Sequence, residues 1–219
     1  MLDTHFPRPL GDMGQPQTYA HMGLQAEVLT VPQASARRVI EEADPALLHP
    51  FVEAARTLEA RGVDLITTSC GFLVLWQKEL QALSPVPVIT SSLCLLPELL
   101  KKESSVGVLS IDAHSLTPMH WAGAGLDDEL VSRLVVKGMP PESHFCQSIL
   151  GNQAHLDAKQ AQQEVVAAAT SLVQASPQIK TLVLECTNLP PYQSAIEMAT
   201  GLKVLSLRDN PVLDKAANE

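Results

Sequence analysis

The sequence has no long hydrophobic run and no cluster of positive charge. Apolar runs such as 72–76 and 93–96 are far shorter than the roughly 20 residues that cross a bilayer. The 15 lysines and arginines are scattered among 24 acidic residues, giving a formal net charge of −9, so no basic stripe is present to neutralise a phosphate backbone. We therefore expect neither a membrane nor a nucleic acid as a partner. The first residues also lack the basic start and apolar core of a signal peptide, which predicts a cytoplasmic location.

Common cofactor and metal motifs are missing too. The sequence contains neither a GxGxxG fingerprint nor a P-loop pattern, and no lysine stands in a context that marks a pyridoxal anchor. The seven histidines are scattered, and the cysteines form no CxxC pair. We therefore expect no cofactor and no metal ion, and in a reducing cytosol we expect free thiols. The four cysteines are Cys70, Cys94, Cys146 and Cys186.

What the chain does contain is an alternation of short apolar runs with helix-length segments. Apolar residues recur at helical spacing over 157–175, and a second helix is predicted from Pro50 to its stop at Gly62. Strands that alternate with helices indicate an α/β fold with parallel sheets. The predicted strands are 26–31, 63–68, 86–90, 106–111, 131–136, 180–185 and 203–207.

The charged segment KKESS, residues 101–105, divides the chain into halves that each contain one strand ending in a cysteine. Ligands of open α/β sheets bind at the carboxyl ends of the strands, so two facing lobes would bring Cys70 and Cys186 to one cleft. The expected lobes are 1–102, to which 205–219 returns, and 103–204.

The start of the chain departs from this alternation. A first strand is expected before the loop DTHFPRPLGDMGQPQTY, yet only Met1 and Leu2 precede Asp3. Our hypothesis is that several residues of a strand are missing there. A longer upstream reading frame encoding a run rich in valine and isoleucine would support it.

The contexts of Cys70 and Cys186 predict reactive thiols. In TTSCGF and in LECTNLPPY, each cysteine stands between a predicted strand and a predicted helix. Backbone N–H groups and the helix dipole favour a thiolate there, which predicts a lowered pKa. The same N–H groups, with the hydroxyls of Thr68, Ser69 and Thr187, can bind a carboxylate. Two thiols on opposite faces of that carboxylate can remove a proton from Cα and return one on the other side, as in a cofactor-independent racemase.

These two motifs, in this order on an α/β chain of this size, resemble the aspartate/glutamate racemase superfamily, which includes hydantoin racemases, maleate isomerases and arylmalonate decarboxylases. The resemblance covers nearly the whole chain. It implies two Rossmann-like lobes related by a pseudo-twofold axis, an active site in the cleft between them, and Cys70 and Cys186 as the catalytic pair. Asp3 and Thr4 match the acid–hydroxyl pair after the family's first strand, and His114 falls where members place a hydroxyl near the substrate.

The sequence also departs from the family pattern. Gly71 and Phe72 follow Cys70, where members commonly have asparagine and threonine, and the lost amide would ordinarily hold the substrate carboxylate. Asn188 replaces a histidine of glutamate racemases and can orient a carboxylate without relaying a proton. Glu185 either tunes Cys186 or is a capping acid. The expected substrate-binding residues are Asp3, Thr68, Ser69, Gly71, His114, Thr187 and Asn188.

We therefore expect an isomerase, namely a racemase or epimerase of a small carboxylate such as an amino acid, that assembles as a homodimer. A distal carboxylate of the substrate would need a cation, for which Arg8, Arg37 and Arg38 are candidates. Maleate isomerases also keep two cysteines, while decarboxylases of the superfamily typically need only the second. The alternatives are a maleate-isomerase-like or decarboxylase-like enzyme, a non-catalytic ligand-binding protein, and a thiol redox sensor. Cys94 and Cys146 are expected to be small core residues.

Overall fold

In the computed structural model, which describes the backbone of residues 1–218 and the side chains of 1–217, the strands form two parallel sheets. The smaller sheet pairs β1 (Ile66–Thr67) with β2 (Val88–Ile89). The larger sheet has the order β4-β3-β5-β6. Its strands are β3 (Val106–Ser110), β4 (Leu134–Gly138), β5 (Thr181–Leu184) and β6 (Lys203–Leu205). The predicted α/β class with parallel sheets is confirmed.

Helices surround both sheets, and short 3-10 turns lead into several of them. Within residues 1–218, no helix combines the length and the apolar character needed to span a bilayer. The α-helices are α1 (Pro16–His21), α2 (Leu48–Ala60), α3 (Gln77–Leu83), α4 (Leu96–Leu100), α5 (Pro118–Gly123), α6 (Asp128–Val131), α7 (His144–Leu150), α8 (Ala158–Ala175), α9 (Gln193–Thr200) and α10 (Pro211–Asn218). A π-helical turn covers Arg37–Glu41, and 3-10 turns cover Pro45–Leu47, Gly71–Trp76, Ser92–Leu95, Pro190–Tyr192 and Leu207–Asp209.

Both predicted helices form. The carboxylate of Asp157 accepts hydrogen bonds from the backbone N–H groups of Lys159 and Gln160, so α8 begins one residue after its cap. The helix α2 begins two residues before Pro50, and Gly62 follows its end with a φ of +81°, a conformation that favours glycine.

The central strands β3 and β5 hold the core of the larger sheet. All of their residues are buried, because helices cover parallel strands on both faces. Gly107 leaves room for neighbouring side chains, since a Cβ there would lie 2.8 Å from Ile179 Cδ1 and 3.0 Å from Leu182 Cδ1 and would displace them. The packing of this sheet fixes where the loop after β5 begins.

The strand prediction over 26–31 is wrong. This segment runs beside the N-terminal residues, where the amino group of Met1 donates to the carbonyl of Leu29 at 2.7 Å and the N–H of Val31 donates to the carbonyl of Met1 at 2.9 Å. Two such bonds do not make a ladder with either sheet. The prediction over 131–136 began too early, because Asp127 caps α6 and the strand β4 starts at Leu134.

A small cluster of buried side chains joins the C-terminal segment to the N-terminal region. Leu207 and Leu213 pack with Met13 and Tyr19, against partly buried residues that include Ile89 of β2. The division into lobes at 1–102 and 103–204 stays a prediction, and Glu219, the last residue of the returning segment, lies outside the described residues.

We predict that Leu182→Ala lowers the free energy of unfolding by about 2 to 5 kcal/mol, because Leu182 is fully buried in β5 and its loss leaves a cavity. Leu83→Ala is the matched control. Leu83 is 53% exposed, and its loss should change stability by about 0.5 kcal/mol or less. Urea denaturation of both variants measures the difference, and equal losses would contradict the proposed core.

Candidate active site

Cys70 and Cys186 line one cleft. Cys70 follows β1 of the smaller sheet and Cys186 follows β5 of the larger one, so each sheet presents a thiol at the carboxyl end of a strand. The space between the lining residues amounts to about 330 Å³ when open solvent is included, and its interior has room for about one water molecule. Both cysteines are almost fully buried, at 6% and 5% exposure. Most of the wall is apolar, formed by residues such as Leu2, Phe6, Ile40, Phe72, Ile111 and Ile149.

Two contacts hold the cysteine loops together. The hydroxyl of Thr187 donates a buried hydrogen bond to the carbonyl of Ser69 at 2.7 Å. A Cβ on Gly71 would lie 2.2 Å from the carbonyl oxygen of Glu185, so only glycine allows the loops to approach this closely. The residue that departs from the family pattern after Cys70 is therefore one that the contact between the loops requires.

The predicted lowering of the two thiol pKa values is wrong. Burial, followed by the charge of Glu185, raises the pKa of Cys70 to about 12 against the opposing effect of the backbone N–H groups of Phe72 and Leu73. Burial and the charge of Glu185 also raise the pKa of Cys186 well above its ordinary value. N–H groups do face the thiols, as the sequence predicts, but desolvation in the apolar cleft has the larger effect.

A chain of hydrogen bonds leads from the N-terminal loop to Cys186. Arg8 donates to Thr4 at 2.8 Å and to the buried carboxylate of Asp12 at 2.7 Å. The amide nitrogen of Asn188 donates to the other oxygen of Asp12 at 2.7 Å, which turns the amide oxygen of Asn188 toward Cys186. The thiol of Cys186 donates to that oxygen at 3.4 Å. This arrangement favours the protonated form of Cys186.

The buried acid Glu185 also lines the cleft. Its Oε2 accepts a hydrogen bond from Ser110 at 2.8 Å, and its Oε1 is buried with no partner among the described residues. Burial raises the pKa of Glu185 to about 8, with a smaller contribution from Asp112. Of the two interpretations of Glu185, tuning of the thiol is the one that this environment supports, since its charge acts on both Cys70 and Cys186.

The structure brings four of the predicted substrate-binding residues to the cleft and leaves three outside its lining. Asp3 accepts a hydrogen bond from the N–H of Gln33, Thr68 bonds to the carbonyls of Thr90 and Cys70, and His114 is exposed on the surface. Contact of these three with substrate stays a prediction. The four at the cleft are Ser69, Gly71, Thr187 and Asn188.

Sequence reasoning recovers only part of the N-terminal contribution to the cleft, namely Thr4 and Arg8. Arg8 was one of three candidate cations, and Asp12 was not singled out, although the two lie four residues apart as an acid and a base. Within residues 1–217, no group of three histidine, cysteine or acidic side chains is arranged to hold a metal ion. The cleft residues of the N-terminal segment are Leu2, Thr4, Phe6 and Arg8.

The fold and the paired cysteine loops correspond to a known family. The profile of the Asp/Glu/Hydantoin racemase family matches residues 17–209. The chain therefore belongs to this family, and the resemblance inferred from the two cysteine motifs is confirmed.

Curated relatives with a similar sequence carry the name of a lyase. A dimethylsulfoniopropionate lyase of Durusdinium sp. clade D is 31% identical over 223 residues, covering 93% of this chain and 68% of the relative. Dimethylsulfoniopropionate lyase 7 of Emiliania huxleyi is 28% identical, covering 96% of this chain and 66% of the relative. The chain thus spans about two thirds of the length of these two relatives.

A solved structure supports the fold at low sequence identity. An aspartate racemase homologue from Pyrococcus horikoshii superposes with a TM-score of 0.59 at 15% identity, covering 96% of this chain and 97% of the other. At that identity the similarity shows the racemase fold and does not specify the reaction.

We predict that Thr187→Val lowers the free energy of unfolding by about 1 to 3 kcal/mol, because it leaves the buried carbonyl of Ser69 without its partner. Thr57→Val is the control, since the Thr57 hydroxyl also bonds to a carbonyl, that of Glu53, but at the surface. This control should change stability by about 0.5 kcal/mol or less. Thermal and urea denaturation measure both effects, and an unchanged Thr187→Val variant would contradict the role of this bond.

Proposed function

We propose that this protein is a cofactor-independent lyase that cleaves dimethylsulfoniopropionate. The observation that carries the proposal is the lining of the cleft: two buried thiols and one arginine in a mostly apolar wall. The names of the curated relatives support the choice of substrate. Membership of the racemase family supports a reaction that begins with proton removal next to a carboxylate.

The lining of the cleft offers chemically suitable groups for each end of this substrate. Of the cleft-lining side chains described, Arg8 alone is cationic. Its guanidinium has five N–H donors, so donors remain for a substrate carboxylate after those used by Asp12 and Thr4. The dimethylsulfonium end is a cation with methyl groups, which suits apolar walls and the ring of Phe72, whereas the Phe6 ring already stacks on Arg8, with 4.4 Å from Arg8 Cζ to the ring centroid.

An amino acid suits this cleft less well. Its ammonium group needs anionic or carbonyl acceptors, and Glu185 is the one acid among the described lining residues. Burial raises the pKa of Glu185 to about 8, so much of it is uncharged near neutral pH. Asp12 is already bound by Arg8, by Asn188 and by the N–H of Gly14.

The proposed reaction is a β-elimination. The thiolate of Cys70 or Cys186 takes a proton from the carbon next to the carboxylate, and the electron pair of that C–H bond forms a double bond to the next carbon. The C–S bond to the sulfonium breaks, and its electron pair leaves on sulfur. The products are acrylate, dimethyl sulfide and the protonated thiol, and charge is conserved. Arg8 stabilises the negative charge that develops on the carboxylate in the transition state.

Racemisation is the second candidate function, because thiols from both cysteine loops line the same cleft. A racemase needs an acid and a base on opposite faces of the substrate, whereas an elimination needs one base. The substrate would then be a small carboxylate with a hydrogen on its α-carbon.

We predict that the purified protein releases dimethyl sulfide from dimethylsulfoniopropionate, measured by gas chromatography of the headspace, with equimolar acrylate measured by proton NMR. At least one of Cys70→Ala and Cys186→Ala should lower turnover by about 10²- to 10⁴-fold, the range for loss of a general base. Cys94→Ala is the matched control, because Cys94 is partly buried outside the cleft lining and bonds to Gln77.

Exchange in deuterated water separates the two candidates. If no dimethyl sulfide forms and the α-proton of aspartate or glutamate exchanges, with loss of exchange in both cleft-cysteine variants, the protein is a racemase and the lyase proposal is wrong. Activity that survives in both variants would contradict thiol chemistry altogether.

A further inference from the structure

Glu185 is the buried ionisable group that the elimination leaves unused. Glu185 is 1% exposed, and it packs between the two cysteine loops. Ser110 holds Oε2, while Oε1 lies against Gly71: a Cβ added at Gly71 would be 2.3 Å from this oxygen. A buried carboxylate oxygen without a donor is costly, and proteins keep such groups where they have a use.

The charges around the cleft restrict the ionisation of Glu185 and of the two thiols. The groups that act on Glu185 are Ser110, the backbone of Ile111 and Asp112. The charge of Glu185 in turn disfavours a thiolate at Cys70 and at Cys186. Three acids in one desolvated space therefore titrate as a coupled set, in which the first negative charge strongly opposes a second. Arg8 and Asp12 also act on the cysteines, with opposite signs.

We propose that Glu185 is a positioning residue that takes up the proton released by the cleft thiol acting as base. The thiol S–H bond breaks, the proton moves to Oε1 through one water, and the negative charge passes from the carboxylate to sulfur. The cleft has room for one water molecule, and relays through a single water are common in acid–base catalysis. Total charge is unchanged in this step, so Glu185 and the thiol never carry two negative charges between them.

This inference rests on the proposed thiol-dependent proton abstraction, and its test includes a measurement that needs no substrate. The first measurement is the pH dependence of kcat/KM for dimethylsulfoniopropionate. In the parent protein kcat/KM should rise with increasing pH and reach its midpoint near pH 8, because burial raises the pKa of Glu185 to about 8. In Glu185→Gln the midpoint should move up by at least one pH unit, with a loss of at least tenfold at pH 7.5 and a much smaller loss at pH 10.

The second measurement is the pH dependence of iodoacetamide labelling at each cysteine, followed by mass spectrometry. Because the charge of Glu185 raises the pKa of both cleft thiols, the labelling midpoint of at least one of Cys70 and Cys186 should move down in Glu185→Gln, while that of Cys94 stays in place. If labelling shifts in this way but no dimethyl sulfide is released by the parent protein, the coupling of Glu185 to the thiols stands and the proposed function fails.

Glu103→Gln is the matched control for this substitution. One oxygen of Glu103 accepts a hydrogen bond from Thr181, and the other is buried with no partner among the described residues, as in Glu185. Glu103 does not line the cleft, so its substitution should leave both pH profiles in place.

Ser110→Ala keeps the inference testable if Glu185→Gln fails to fold. The Ser110 hydroxyl bonds to Oε2 and lowers the pKa of Glu185, so its removal should move the midpoint of the kcat/KM profile upward by a smaller step. Two results would overturn the inference. A kcat/KM midpoint that moves down in Glu185→Gln would mean that Glu185 only represses the thiolate, and an equal loss of kcat/KM at every pH would mean a purely structural role.

Discussion

The hydrogen bond from Thr187 to Ser69 is the constraint on which the site depends. It joins the loop after β5 to the loop after β1, which belong to different sheets, at a point where both are shielded from water. Gly71 then allows the backbone of one loop to touch Glu185 in the other. Through these two contacts, residues more than 100 positions apart in the sequence face one another across a narrow space.

Burial gives this space its chemistry as well as its shape. An apolar wall excludes water, and the absence of water makes every charge in the cleft more influential on its neighbours. The thiols are therefore harder to ionise than thiols in solution, and the nearby acid is harder to ionise too. In such a cleft the position of a proton on one group determines which other group can carry the charge.

The sequence was informative wherever one local pattern decides a structure. Alternating apolar runs located β3, β5 and β6, and the Asp157 cap located α8. Cysteines at strand ends led to the shared cleft, because the topology of parallel sheets places such ends together. These features follow from rules that act over a few residues.

The sequence was less informative where the result depends on distant partners. The segment 26–31 has the composition of a strand, yet its backbone bonds to Met1 and joins neither sheet. The sign of the thiol pKa shifts depends on desolvation by walls from several parts of the chain. Arg8 reaches the cleft only because Asp12 and Thr4 hold its guanidinium, and that geometry is not visible in the spacing of the residues.

The N-terminal segment lines the cleft with alternate side chains, Leu2, Thr4, Phe6 and Arg8, while the residues between them do not line it. This is the periodicity of an extended chain, and it separates recognition from reactivity. The thiols come from loops anchored to the two sheets, whereas Arg8, the one cation of the described lining, comes from this short stretch. Related proteins can therefore change the charge of the cleft by substitutions in that stretch, with the two cysteine loops left in place.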